Sequence, residues 1–136
     1  MEKEFRVIIA GTRHFNDYNR LKEKCNNLLR GVSRAHTIII RSGKAKGADT
    51  LGEKFANEHG YLIEEFPADW ANLGRKAGPI RNKEMAEGNE TFPQKANMLI
   101  AFWDGKSVGT KIMIDIAKRQ GLIVRVFDYK NSKISF

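Results

Sequence analysis

Short apolar runs alternate with amphipathic stretches along the whole chain. The first run, residues 5–10, ends at a glycine and is typical of a buried strand. Residues 17–30 then repeat apolar side chains every three or four positions, which predicts a helix capped by Asn16 or Asp17. Cys25 belongs to the apolar face of this helix, so we expect it in the core.

The same alternation continues to the end of the chain. Further strands are predicted at residues 37–40, 61–66, 97–102 and 122–127. Further helices are predicted at residues 48–59, 79–87 and 110–120, with Pro79 at the first helical position. Residues 67–78 and 88–95 have an irregular pattern, and a short polar tail follows the last strand.

A strand followed by a helix, four times over, and then a last strand predicts an α/β fold. We expect a Rossmann-like three-layer α/β/α arrangement around a mostly parallel five-stranded sheet. With 136 residues and no linker or repeat, the chain is expected to form one domain, residues 1–136. Ligands of such sheets bind beyond the carboxyl ends of the strands, where the winding reverses.

Composition narrows the class of partner. The formal net charge of +8 favours anionic partners, which include nucleotides, nucleic acid and acidic proteins. One cysteine excludes an internal disulfide, and neither a signal peptide nor a membrane span is visible. We therefore expect a soluble, cytoplasmic protein with no membrane partner.

Glycine-bearing turns follow three of the predicted strands. Gly11 and Arg13 follow the first strand, where glycine lets the backbone approach a ligand and arginine can hold a phosphate. Residues 42–49 follow the second strand and residues 104–111 follow the fourth, and each opens a helix whose free amides favour anions. A tight turn with an exposed arginine, or an ordinary helix cap, is the structural alternative at each place.

A further basic loop lies between the third strand and the next helix. Trp70 can stack on a base or cover the edge of the core. Arg81 lies in the first helical turn, a position that the helix dipole disfavours for a cation, which hints at an anionic partner. Asp49 can cap a helix or accept a hydrogen bond from a ligand hydroxyl. The candidate ligand-binding residues are Gly11, Arg13, Ser42, Gly43, Lys44, Gly47, Asp49, Trp70, Arg81, Asn82, Gly105, Ser107, Gly109 and Thr110.

The sequence lacks the residue patterns that metal sites, Walker A sites and dinucleotide sites need. The three histidines are far apart and no paired cysteine or histidine spacing occurs, so we expect no metal site. The Walker A motif and the dinucleotide fingerprint are both absent, which argues against a standard NAD-dependent dehydrogenase. No resident cofactor is expected.

Five motifs of this sequence resemble the YspA-like, cpYpsA-related branch of the SLOG superfamily. They are Gly-Thr-Arg-His-Phe, Ser-Gly-Lys-Ala-Lys-Gly-Ala-Asp, Ala-Asp-Trp, Ala-Gly-Pro-Ile-Arg-Asn-Lys-Glu-Met and Phe-Trp-Asp-Gly-Lys-Ser-Val-Gly-Thr-Lys. The resemblance spans nearly the whole chain in order. It implies a Rossmann-like protein of bacteria or phages that binds nucleotides, nucleotide-derived signals or nucleic acid. Because its relatives commonly self-associate, the resemblance also suggests a homo-oligomer.

Two related groups suggest alternatives. Lonely-guy enzymes cleave the N-glycosidic bond of nucleoside monophosphates, and Arg81 and Met85, then the Gly105 to Thr110 segment, match their signature. Their catalytic glutamate position falls on Met113, and Asp115 lies about 200° further around the helix.

Smf/DprA proteins, which bind single-stranded DNA, share the Ser42 to Asp49 pattern. A nucleotide-binding protein, a hydrolase of altered mechanism and a single-strand binder therefore all remain hypotheses.

Overall fold

The computed structural model describes residues 3–130 and the backbone of residues 133–135. Within this part of the chain the strands are β1 (Lys3–Gly11), β2 (His36–Ser42), β3 (Leu62–Glu65), β4 (Met98–Trp103), β5 (Ile123–Asp128) and β6 (Lys133–Ser135). The helices are α1 (Tyr18–Leu29), α2 (Ala48–His59), α3 (Trp70–Leu73), α4 (Ala77–Glu87) and α5 (Val108–Arg119), with single 3-10 turns at Val32–Arg34 and Gly74–Lys76.

The strands form one sheet in the order β3-β2-β1-β4-β5-β6. The first five are parallel, as predicted, and β6 pairs antiparallel with β5. Sequence analysis assigned β6 to a polar tail, because three residues at an edge carry almost no apolar pattern. Residues 131, 132 and 136 of that tail lie outside the described residues.

Helices cover both faces of the sheet and confirm the three-layer α/β/α architecture. On β1, Val7 and Ile9 face the core beneath α1 and α2, whereas Ile8 and Ala10 face the core beneath α4 and α5. A strand that is buried on both faces needs apolar residues at consecutive positions. This requirement explains the unbroken apolar runs of β1 and β4.

The winding of the sheet reverses between β1 and β4. After β1 the chain moves outward to β2 and β3, then returns across the sheet to β4, which pairs with the other side of β1. The carboxyl ends of these two central strands, at Gly11 and Phe102, are therefore the expected floor of a ligand crevice.

Among the described residues, every helix is too short or too polar to cross a bilayer.

The predicted bounds differ from the structure where the chain enters two helices. The segment predicted to be irregular contains α3, which Asp69 caps by accepting a hydrogen bond from the amide of Asn72. The 3-10 turn Gly74–Lys76 runs directly into α4, so Pro79 is the third residue of the helix and not the first. Arg81 is therefore the fifth residue and lies beyond the first turn, in which sequence analysis placed it. α5 begins at Val108, two residues before the predicted start at Thr110, and Ser107 occupies the position before it.

Arg41 is a fully buried charge at the end of β2, one residue beyond the predicted strand. Its Nε lies 2.9 Å from a carboxylate oxygen of Glu64, which also accepts from Arg6 at 3.2 Å. Its Nη1 donates to the carbonyl of Met85 at 2.6 Å, and so ties the last turn of α4 to the sheet. Burial lowers the pKa of Arg41, and Glu64 opposes that shift.

Replacing Glu64 with glutamine leaves the buried Arg41 without an ion-pair partner among the described residues, whereas Arg6 keeps its pair with Glu4 at 2.9 Å. We expect Glu64→Gln to lower the free energy of unfolding by about 3 kcal/mol in urea titrations, because breaking a buried pair exposes the desolvation cost of the remaining charge. Glu23→Gln, which removes an exposed pair with Lys24, is the matched control and should cost under about 1 kcal/mol. Equal costs at the two positions would contradict this reading.

Candidate functional site

Three turns and one helix meet at the carboxyl ends of the central strands. The turns are the β1 turn (residues 11–15), the β2 turn (residues 42–47) and the β4 turn (residues 104–107), and the helix is α4. Contacts between neighbours close these four segments into a ring. The ring surrounds the point at which the sheet reverses its winding.

Close backbone packing joins the β1 turn to its neighbours. A side chain at Gly11 would overlap the carbonyl oxygen of Phe102 and lie 2.9 Å from Cβ of Ala48, the first residue of α2. Gly47 has a φ of 82° and packs against the backbone of Thr12 and Arg13. Only glycine meets both demands at position 47, which explains its place between β2 and α2.

Asp104 shapes the β4 turn. Its Oδ1 accepts hydrogen bonds of 2.8 Å from the amides of Lys106 and Ser107, and these bonds lower the pKa of its carboxyl. Its own amide donates to Oγ1 of Thr12 at 3.1 Å, which links the β4 turn to the β1 turn. The turn thereby sets the direction in which α5 leaves the sheet.

Arg81 and Asn82 connect α4 to the β2 turn on one side and to the first turn of α5 on the other. Nη1 of Arg81 donates to the carbonyl of Gly43, and Nε donates to Oδ1 of Asn82 at 2.9 Å. Nδ2 of Asn82 in turn donates to the carbonyl of Gly109 at 3.4 Å. These bonds complete the ring from the β2 turn through α4 to the first turn of α5.

A cleft of about 270 Å³ opens inside this ring. Its polar lining comes from Arg13, Asp49, Arg81, Asn82, Ser107 and Thr110, and the rest is mainly apolar. This combination of an apolar wall with a few convergent polar groups is typical of small-molecule sites, and the volume is near the lower end of their range.

Most of the predicted site residues line this cleft. Those that do are Gly11, Arg13, Asp49, Trp70, Arg81, Asn82, Ser107, Gly109 and Thr110. The structure thus brings together residues that are up to about a hundred positions apart in the sequence, because parallel strands deliver all their following turns to one edge.

The other predicted site residues lie behind the lining or beside it. Ser42 donates to Glu53 at 2.6 Å, and Nζ of Lys44 pairs with Glu53 at 2.9 Å and Glu65 at 3.0 Å, so the Lys44 charge is directed to carboxylates outside the cleft. Gly43 and Gly47 make the backbone contacts given above. Gly105 packs beside Asp128.

Sequence reasoning missed most of the apolar wall. The additional lining residues are Ala10, Ala45, Gly78, Pro79, Met85, Ile112 and Met113. Met85 and Met113 are also almost fully buried, and their helical spacing is the same as that of ordinary core residues. Nothing in the pattern separates a core methionine from one that lines a cleft.

Trp70 stands at the mouth of the cleft. Its side chain lies in α3, is 59% exposed, and lines the cleft on one side. A Cβ at Gly78 would lie 3.2 Å from the Trp70 ring, so the glycine leaves room for the edge of the indole beside the start of α4. The core-covering alternative for Trp70 does not fit this exposure.

Asp49 is the carboxylate that lines the cleft, and it is only 4% exposed. Burial raises its pKa to about 6, against the opposing effects of Arg81 and of the amides of Ala45 and Gly43. Burial likewise lowers the pKa of Arg81, and Asp49 opposes that shift. A buried carboxylate with a perturbed pKa, beside a guanidinium in a cleft, is characteristic of functional sites.

Met113 occupies the position that matches the glutamate of lonely-guy enzymes, and it lines the cleft. Asp115 lies on the exposed side of α5, where its carboxylate pairs with Lys111 at 3.1 Å. Neither side chain therefore brings a carboxylate into the cleft from α5.

Comparison with known proteins supports the family resemblance that the sequence motifs indicate. The sequence profile of the YspA, cpYpsA-related SLOG family matches residues 5–72, half of the chain. The chain belongs to this family. The matched segment includes the β1 and β2 turns, Asp49 and Trp70. Membership indicates a nucleotide-related function at the level of the family.

A relative of similar length is known from a phage. The Gene 61 protein of Mycobacterium phage D29 is 30% identical over 130 residues, which cover 92% of this chain and 98% of the phage protein. Its name carries no information on a ligand. No solved structure matches the chain.

The raised pKa of Asp49 predicts a pH dependence of stability. The folded state holds the Asp49 proton more tightly than the unfolded chain does. Protonation of Asp49 therefore stabilises the fold fully below about pH 4, and this stabilisation is lost as the pH rises through 6. We expect the stability of Asp49→Asn to rise relative to wild type by about 2 to 3 kcal/mol between pH 4 and pH 7. Parallel pH profiles in urea titrations would contradict this, and Asp115→Asn controls for the loss of one carboxylate.

The crowding at Gly47 predicts that adding one methyl group there lowers the free energy of unfolding strongly. Gly60 also has a positive φ, at 72°, but a Cβ there meets no atom within 4 Å. We therefore expect Gly60→Ala to cost about 1 kcal/mol and Gly47→Ala to cost about 3 kcal/mol or more in the free energy of unfolding, since only Gly47 combines backbone strain with overlap. Similar costs would show that the β1 and β2 turns are not in close contact.

Proposed function

We propose that this protein binds a phosphate-bearing nucleotide or nucleotide-derived ligand in the cleft between the β1 turn, the β4 turn and α4. The observation that supports this most strongly is the convergence of two guanidinium groups and a helix start on one small apolar cleft. Family membership points to the same class of ligand.

The phosphate end of the ligand is assigned to the start of α5. The amides of Val108, Gly109 and Thr110 precede the first intrahelical hydrogen bond, which runs from Lys111 to Ser107 at 3.2 Å. Unpaired amides and the positive end of the helix dipole favour a phosphate there. Arg13, whose side chain is exposed and lines the same cleft, supplies a full positive charge.

Arg81 supplies a second positive charge, and its existing hydrogen bonds fix the orientation of its guanidinium group. Its contacts with Gly43 and Asn82 use only part of the guanidinium donor set, which has five N–H groups in all. The remaining donors are available to an anion in the cleft. The bonds already made hold the side chain in place, which lowers the entropic cost of binding.

The base is assigned to the apolar wall. Trp70 offers an exposed indole face at the mouth of the cleft, and Pro79, Met85 and Ile112 offer apolar surface. Aromatic stacking and apolar contact suit the faces of a nucleobase. The small volume favours a mononucleotide-sized group over a complete dinucleotide within the cleft.

Single-stranded nucleic acid is a second candidate, which the exposed rim supports. Trp70 and the exposed lysines of the neighbouring turns, Lys46 and Lys106, would suit a strand that continues out of the cleft. Such binding would weaken steeply with salt because several counterions are released, whereas a single nucleotide should show a shallow dependence.

The absence of a carboxylate on α5 facing the cleft makes binding, not glycosidic hydrolysis, the function that this geometry supports best.

Calorimetric titration with nucleoside mono-, di- and triphosphates, NAD and a single-stranded oligonucleotide tests the proposal. We expect at least one free nucleotide to bind and Arg13→Ala to weaken it by about tenfold or more, as loss of a charge-assisted hydrogen bond implies. Arg34→Ala, which removes an exposed charge at a 3-10 turn before β2, is the matched control and should bind normally. The proposal fails if no nucleotide binds, or if both variants are weakened equally.

A further inference from the structure

The two oxygens of the Asp49 carboxylate have different surroundings. Oδ2 accepts the amide of Gly43 at 3.1 Å and the amide of Ala45 at 3.4 Å, so it holds the β2 turn in place. Oδ1 accepts no hydrogen bond from any described residue, yet it is not among the described side-chain atoms that are both sealed from solvent and unpaired. Because Asp49 lines the cleft and is otherwise buried, Oδ1 opens onto the cleft.

The nearby cation does not occupy this oxygen. Arg81 directs Nη1 to the carbonyl of Gly43 and Nε to Asn82, and within the described part of the chain it forms no ion pair with Asp49 inside 4 Å. Oδ1 therefore keeps an unfilled capacity to accept a hydrogen bond. A ligand that filled the cleft without offering a donor would bury Oδ1 unpaired, which is costly, so a ligand that supplies a donor is favoured.

The chemistry of the ligand decides which donor this is. A phosphate is repelled by a carboxylate, and the phosphate already has a place at the start of α5. The base has a place on the apolar wall of α3, α4 and α5. In any nucleotide the sugar lies between these two groups, and its hydroxyls are the donors that remain for the α2 side of the cleft, where Asp49 stands.

We infer that Oδ1 of Asp49 accepts a hydrogen bond from a ribose hydroxyl, and that the cleft selects ribonucleotides over deoxyribonucleotides. The inference rests on the proposed function and narrows its ligand class. It also gives Asp49 two separate roles, one oxygen holding the β2 turn and the other reading the sugar.

Asp49→Asn separates these two roles. The two backbone amides require an oxygen, so the asparagine carbonyl takes the place of Oδ2 and its NH₂ group faces the cleft. The β2 turn is retained while the charged acceptor is lost. Thermal melting of the variant checks that it folds.

The test is calorimetric titration of wild type and Asp49→Asn with AMP, GMP, CMP and UMP and with their 2′-deoxy and 3′-deoxy counterparts. For the wild type we expect a ribonucleotide to bind about 10- to 100-fold more tightly than at least one of its deoxy forms, as hydrogen bonds to charged groups imply. In Asp49→Asn this ratio should fall to within about threefold. Asp115→Asn should leave the ratio unchanged.

Three results would overturn the inference, and they differ in whether the proposed function also falls. Equal binding of ribo and deoxy forms by the wild type, or a ratio that survives Asp49→Asn, removes the role of Asp49 and leaves nucleotide binding intact. Failure of all these monophosphates to bind the folded wild-type protein removes the inference, and the proposed function falls with it only if the di- and triphosphates and NAD also fail to bind.

Discussion

The close approach of backbone segments at the carboxyl edge of the sheet is the constraint on which the site depends. Gly11 allows the end of β1 to lie directly against β4 and the start of α2, and Gly47 allows the β2 turn to rest on the β1 turn. With any larger side chain at these positions the turns would separate. The cleft therefore exists because two positions lack a Cβ, and the side chains that line it are held in register by that contact.

Charge placement in the site follows from this packing. The ring brings a buried carboxylate and a partly buried guanidinium close together around Gly43, and each group shifts the pKa of the other against the effect of burial. An arrangement of this kind is costly to folding, which is usual where a site must be prepared before its ligand arrives. The buried Arg41 network serves a different purpose, because it fixes the last turn of α4 to the sheet and so supports the helix that carries Arg81.

The fold could be predicted because parallel strands that are buried on both faces leave long apolar runs, and glycines mark where those runs end. The same logic located Arg13, Asp49, Arg81 and Thr110 at one edge. It could not show that Lys44 turns to Glu53 and Glu65, since the direction of a side chain depends on partners far along the chain.

Two further features were hidden for related reasons. Arg41 follows an apolar run and has the sequence context of a solvent-facing strand end, yet its partners Glu64 and the carbonyl of Met85 lie on other elements. The methionines of the apolar wall have ordinary core spacing. Both became visible only when the tertiary contacts were known.

The proposed nucleotide binds inside the ring, with its phosphate at the start of α5. A nitrogen-15 amide titration with the tightest-binding nucleotide tests this most directly. The amide signals of Gly11 and Gly109, which line the cleft, and of Gly43, whose amide donates to the cleft residue Asp49, should shift together along one saturation curve. Those of Gly31, Gly60 and Gly121, which lie away from the cleft, should stay in place. Shifts centred on the second group, or an unchanged Gly109 amide at saturation, would contradict the account.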